Sequence, residues 1–221
     1  MFELVAFDCD GVLVNTEQLS QEFEMLFLKY HGIYLSVDEY MELLCGIPEN
    51  SWMLKISELL EEKKVDNIAN ILQGLKNDLD VYIDNNLRLT SDVLTFIQSI
   101  NIAKCVVSNS DSDRLTNILD RVGLSAYFKG HIFSSQLLGP KKPDPEVYRQ
   151  ICSNYNVIPQ KCLVIEDSIP GISSAVNAGC YVVAIVDNNY ITSEYKKRLY
   201  EAGANEVVTS FSQINLRNKR F

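Results

Sequence analysis

Phe2-Glu3-Leu4-Val5-Ala6-Phe7-Asp8-Cys9-Asp10-Gly11 is the stretch on which the fold turns. A short, mostly apolar run stops at two aspartates one residue apart, then a glycine. Such a run reads as a strand feeding a loop. Working outward, similar runs recur at 103–107, 131–133, 162–165 and 181–186, with a shorter one at 206–208. Most are continuous rather than alternating, which suits strands covered on both faces. Helical patterns lie between them, at about 92–100, 112–122, 145–154, 170–178 and 193–202. Strands alternating with helices predict an α/β fold with a Rossmann-like, doubly wound parallel sheet.

Residues 16–84 break this rhythm. Phe23, Leu26, Phe27 and Tyr30 recur at helical spacing, Leu54, Ile56, Leu59 and Leu60 do so less cleanly, and Ile68, Ile71, Leu72 and Leu75 do so again. Three or four helices packed as a small bundle are expected there. The chain is thus predicted to divide into an α/β core, 1–14 and 88–221, and an inserted all-helical domain, 15–87. Charge follows the same division. Residues 15–87 carry 14 acidic and 5 basic side chains, which is the whole of the formal net charge of −9, and no arginine precedes Arg88. The tail after Asn215 is basic, with Arg217, Lys219 and Arg220, and is expected to fray.

Composition narrows the function classes. A chain of 221 residues that is 47% hydrophobic and 22% charged can bury a core. A pI of about 4.8 argues against a broadly cationic nucleic-acid surface. There is no basic segment followed by a long apolar stretch at the start, and no run approaches a membrane span. A monomeric, cytoplasmic protein that binds neither nucleic acid nor membrane is the expectation. The six cysteines (9, 45, 105, 152, 162 and 180) form no CxxC pair and are read as reduced, mostly core residues.

In open parallel sheets, ligands bind beyond the carboxyl ends of the strands. The residues immediately after each predicted strand are therefore informative. Asp8 and Asp10 come after the first, Ser108, Asn109 and Ser110 after the second. Lys141-Lys142-Pro143 comes a short way after the third, and Glu166-Asp167-Ser168 after the fourth. Four carboxylates on one edge repel one another, and a hard divalent cation relieves this. Mg²⁺ prefers oxygen ligands and suits two or three carboxylates plus a substrate phosphate. Beside it, Lys142 would neutralise an anionic nucleophile or phosphoryl group, and Ser108 can donate to a phosphoryl oxygen.

These residues carry a family resemblance. Asp8-Cys9-Asp10-Gly11-Val12-Leu13-Val14-Asn15-Thr16-Glu17 resembles the first motif of the haloacid dehalogenase superfamily. Val106-Val107-Ser108-Asn109-Ser110 resembles its second motif and Lys142-Pro143-Asp144-Pro145 its third. Val164-Ile165-Glu166-Asp167-Ser168, continuing to Gly171 and Ala178-Gly179, resembles the fourth. The helical insertion looks like the cap of the β-phosphoglucomutase-like phosphatase subgroup. The resemblance implies that Asp8 is a nucleophile forming an aspartyl-phosphate. Asp10 would protonate the leaving alcohol and then activate water. Asp8, the Asp10 backbone carbonyl and Asp167 would hold Mg²⁺, with Glu166 as ligand or support. Mg²⁺ and Lys142 would offset phosphoryl charge, while Ser108 and Asn109 hold the group in place. Lys76 and Gly46 fall where the related cap meets substrate, and the cap is expected to hinge near 14–16 and 85–90.

Departures from the pattern discriminate among functions. Asn15 stands where the family usually has Asp. Ser20 and Glu49 stand where the mutase branch usually has His and Arg, groups that retain a second phosphate. The implied function is therefore a Mg²⁺-dependent phosphatase of a small phosphorylated metabolite, a sugar phosphate or sugar-acid phosphate. A sugar phosphomutase is the alternative. Asp10 argues against the carbon–halogen hydrolases of the superfamily, which lack that acid. The full acidic set argues against a catalytically silent binding protein.

Overall fold

The computed structural model describes the chain except residues 46, 48, 188–190 and 217–221 and the side chain of Glu49. Gly46 and the basic side chains at 217, 219 and 220 thus lie outside the described residues. Two compact units emerge: Met1–Asn15 with Arg88–Phe221, and Thr16–Leu87.

In chain order, the first unit opens with β1 (Leu4–Phe7). The second holds α1 (Thr16–Tyr30), α2 (Val37–Leu43), α3 (Glu49–Glu62) and α4 (Ile68–Asn86). The first then resumes with α5 (Val93–Ser99), β2 (Ala103–Ser108), α6 (Ser112–Arg121), β3 (Ile132–Ser134) and α7 (Ser135–Leu138). It closes with α8 (Glu146–Asn154), β4 (Cys162–Glu166), α9 (Ile169–Ala178), β5 (Tyr181–Ile185), α10 (Ser193–Glu201) and β6 (Glu206–Val208).

The six strands form one parallel sheet in the order β3-β2-β1-β4-β5-β6. The α/β, Rossmann-like expectation therefore holds. β1 and β4 are buried along their whole length, as their unbroken apolar runs require. Phe7 lies opposite Val106 on one side and Ile165 on the other, so Asp8 leaves the sheet level with the last residues of β2 and β4. The strand order reverses between β1 and β4, which makes the crevice beyond their carboxyl ends the topological switch point. Beneath it, Phe7 packs edge-on against Phe96 and Phe128 at centroid distances of 6.1 and 5.7 Å.

The helical unit differs from its expected stripe. Leu26 and Tyr30 of α1 and Leu54 of α3 are exposed, whereas Leu19 and Leu28 of α1, Ile56 and Leu60 of α3 and Leu75 of α4 are buried. The stripe on α1 is turned so that Gln21 and Glu24 also face inward. Glu24 is tolerated because its Oε2 accepts hydrogen bonds from the Tyr40 hydroxyl at 2.6 Å and Trp52 Nε1 at 2.8 Å. Phe23 meets Tyr82 of α4 at 5.3 Å. α2 has no long apolar stripe. Its start is set by a capping box, in which Ser36 Oγ accepts from Glu39 N and Glu39 Oε2 accepts from Ser36 N at 2.7 Å.

The chain leaves and re-enters the sheet unit through a paired segment. Asn15 N donates to Arg88 O, Arg88 N donates to Asn15 Oδ1 at 2.8 Å, and Thr90 N donates to Leu13 O. The amide of Asn15 is thus a tie between the two chain crossings, and its Nδ2 has no hydrogen-bond partner among the described residues.

Candidate active site

β1 ends at Phe7, and the next residue, Asp8, is fixed by its N–H donating to Ile165 O at 2.9 Å. The chain then turns at Gly11, with φ 74°, and the amides of residues 12–14 fold back onto Cys9 O. This tight loop places both aspartates above the sheet edge. Asp8 is buried, while Asp10 is half-buried.

Lys142 reaches the same place from the loop before α8. Its ammonium is buried and donates to Asp8 Oδ1 at 2.6 Å, Glu166 Oε1 at 2.6 Å and Val107 O at 2.8 Å. Three acceptors satisfy its three protons, as burial of a lysine demands. Burial works to deprotonate Lys142, but the carboxylates of Asp8 and Glu166 more than offset it and keep the ammonium charged. The ring of Tyr148 on α8 lies 5.7 Å from this nitrogen and adds a cation–π contact.

Glu166 closes the arrangement. Its Oε2 accepts from Asp167 N, Ser168 N and Ser168 Oγ at 3.1, 3.1 and 2.9 Å, while Oε1 takes the lysine. Ser168 also caps α9, its Oγ accepting from Gly171 N at 3.1 Å. Gly171 must lack a side chain, because a Cβ there would collide with the Glu166 carboxylate. Glu166 is therefore locked on both oxygens.

One carboxylate oxygen from each of Asp8, Glu166 and Asp167 lies within 4.8 Å of the other two. With all three ionised, one ammonium stands against three negative charges, an imbalance of two that a divalent cation would cancel. Asp8 carries most of the strain: burial pushes its carboxyl well up from the ordinary range, Lys142 pulls it down, and Glu166 and Asp10 push it up again. An all-oxygen set with this excess charge fits a hard divalent ion. Glu166 is engaged by five donors, the Tyr148 hydroxyl at 3.5 Å among them, and Asp8 and Asp167 are the candidates for direct ligation.

The remaining predicted residues divide. Ser108 ends β2, is buried, and its Oγ accepts from Ser110 N at 3.0 Å, which leaves its proton for another acceptor. Asn109 is occupied differently from the sequence expectation of phosphoryl contact. Its side chain donates to Lys142 O at 3.1 Å and accepts from Lys142 N at 2.9 Å. The carboxamide is thus engaged in holding the Lys142 backbone. The Asp10 carboxylate is not among the three clustered ones. It accepts from Ser110 Oγ at 2.8 Å and pairs with Arg114 at 3.3 Å. Lys76 is exposed on α4 of the helical unit. In that unit Gln21 donates to Met41 Sδ and Gln18 to Glu22.

Sequence reading missed Arg114 and Tyr148. Arg114 falls on the polar face of a strongly amphipathic helix pattern, where an arginine is ordinarily solvated. Tyr148 looks like one more apolar position of α8. Neither carries a local signal of its spatial neighbour.

Two aspartates, a buried lysine and a clustered acidic pair, all at the switch point of this sheet, define a class. The chain belongs to the haloacid dehalogenase-like hydrolases, whose family model matches residues 2–179. It is therefore an enzyme, a hydrolase, and phosphatases are among its curated relatives. It is 29% identical to the phosphorylated carbohydrates phosphatase of Thermotoga maritima over 97% of both chains. It is 23% identical to the 6-phosphogluconate phosphatase of Escherichia coli over 81% of this chain and 80% of that one. A haloacid dehalogenase-like protein of unknown function from Agrobacterium tumefaciens shares the fold with a TM-score of 0.82 at 30% identity, covering 96% of this chain and 95% of that one.

Proposed function

We propose that this protein is a Mg²⁺-dependent phosphatase acting on a small phosphorylated sugar or sugar acid, with Asp8 as nucleophile. The observation that carries the reading is the buried Lys142 bridging Asp8 and Glu166 beside Asp167. The phosphatase relatives, one acting by its name on phosphorylated carbohydrates and one on 6-phosphogluconate, support the substrate class.

The chemistry divides into two displacements. An Asp8 oxygen attacks phosphorus as the bond to the sugar oxygen breaks, and Asp10 gives that oxygen its proton. Water then attacks the aspartyl-phosphate, Asp10 takes a proton from it, and the Asp8 carboxylate is restored with release of inorganic phosphate. Mg²⁺, held by Asp8 and Asp167, would supply charge neutralisation at the transferring phosphoryl group. Lys142 supplies the fixed positive charge on the protein's side, and Ser108 Oγ an oriented donor. Asn109 keeps Lys142 in register through its two backbone hydrogen bonds.

The test is inorganic phosphate release from a panel of sugar and sugar-acid phosphates, with Mg²⁺ and with chelator. Turnover by wild type that is lost in Asp8→Asn, by more than about 10³-fold, is expected. Release by Asp8→Asn at the wild-type rate would remove the nucleophile. Isomerised phosphosugar without free phosphate would make the protein a mutase.

A further inference from the structure

At the other edge of the sheet from the carboxylates, three thiols converge. Cys152 comes from α8, Cys162 opens β4, and Cys180 lies between the Gly179 cap of α9 and the start of β5. All three are buried. We infer that Cys152, Cys162 and Cys180 form a binding site for one three-coordinate thiophilic centre, the chemistry of trivalent arsenic.

Geometry comes first. The three sulfurs lie within 4.8 Å of one another, and those of Cys152 and Cys180 are 4.0 Å apart. Sulfurs bound at about 2.3 Å to a pyramidal three-coordinate centre, with angles of about 100°, stand roughly 3.5 Å apart. The Cys152–Cys180 pair is wider than this by only about 0.5 Å, and no pair by more than about 1.3 Å, a closure that side-chain rotation supplies. Proton sharing within the cluster points the same way. The thiols of Cys162 and Cys180 lie against the Cys152 sulfur and pull its pKa down, against the opposing effect of burial. That same contact pushes Cys162 and Cys180 up. Three S–H groups thus meet in one small buried volume, and a thiophilic atom would take the place of their protons there.

Charge selects the occupant. A divalent ion held by three thiolates leaves one negative charge buried and seeks a fourth ligand. No fourth Cys, His, Asp or Glu joins the cluster among the described residues. A trivalent centre bound by three thiolates is neutral and needs none. Arsenous acid reacts without redox change. Three As–O bonds break, three As–S bonds form, and each thiol proton leaves with a hydroxide as water. The product would staple α8, β4 and the turn into β5 together.

The test uses the whole chain, reduced with a phosphine and exposed to arsenite, both native and during refolding from denaturant so that buried sulfurs are reached. The expected adduct has the mass of one arsenic less three hydrogens. Alkylation after unfolding is expected to spare Cys152, Cys162 and Cys180 and to modify Cys9, Cys45 and Cys105. Tm is expected to rise with arsenite concentration, and in Cys180→Ser both the three-proton adduct and the Tm response are lost. If that variant does not fold, the wild-type alkylation pattern decides alone. No adduct by either route, or protection that falls on Cys9, Cys45 or Cys105, overturns the inference. The phosphatase assay is unaffected by that outcome, since none of these sulfurs belongs to the carboxylate site.

Discussion

Asp10 is held by two donors on its own sheet unit, Ser110 Oγ and the half-exposed guanidinium of Arg114. An acid–base group works only when it points at the proton it moves, so these contacts orient it. Arg114→Ala is expected to lower kcat about tenfold, well short of the 10²–10⁴-fold loss expected for Asp10→Asn. Steady-state kinetics on an aryl phosphate compare the two, and an Arg114→Ala rate equal to wild type would leave the guanidinium without a part. At this scale the sequence was informative where residue type and position agree. Asp8, Asp10, Lys142 and Asp167 each come after a strand, and each is unusual there. Arg114 and Asn109 were not legible in their actual contacts. Both are ordinary residue types whose partners lie 104 and 33 positions away.

Elements meet where one of them gives up its side chain. α9 begins so close to β4 that Gly171 stands against the Glu166 carboxylate. Gly171→Ala would push that carboxylate away from Lys142, with a stability cost of about 1–3 kcal/mol. Activity is expected to fall more steeply than Tm, since Glu166 orders both Lys142 and Asp167; paired Tm and kcat/KM measurements check this. A second element-scale expectation concerns α1. Burial raises the pKa of Glu24 despite the hydrogen bonds from Tyr40 and Trp52 that lower it. Its folded pKa thus exceeds its unfolded one, the native state binds more protons, and stability declines as pH rises from about 4.5 to the raised value. Glu24→Gln removes this slope, so its Tm relative to wild type is expected to climb across that window. A parallel course of the two Tm curves would contradict it. Sequence periodicity located α1 but misassigned its inner face. Leu26 and Tyr30 are as apolar as Leu19 and Leu28, and only packing against α4 decides which are covered. α2 was carried by a local cap, a signal that stripes of apolar residues do not contain.

For the whole molecule, the order β3-β2-β1-β4-β5-β6 explains why distant segments meet. Parallel strands all finish at one edge, so residues 8, 108 and 166 are neighbours by topology alone. This was legible from the run-and-loop rhythm, because continuous apolar strands admit few arrangements. No helix among the described residues is long and apolar enough to cross a membrane. The second compact unit runs from Thr16 to Leu87, the stretch that carries the acidic excess. The pairing of Asn15 with Arg88 has a consequence for engineering. Because the outgoing and returning chains are already zipped side by side, their pairing is a clasp made entirely within the sheet unit's own residues. Splicing a short glycine-rich turn between positions 15 and 88 is expected to leave a soluble, cooperatively melting sheet unit, detectable by circular dichroism. A spliced chain that fails to melt cooperatively would mean that the clasp alone does not make the module detachable.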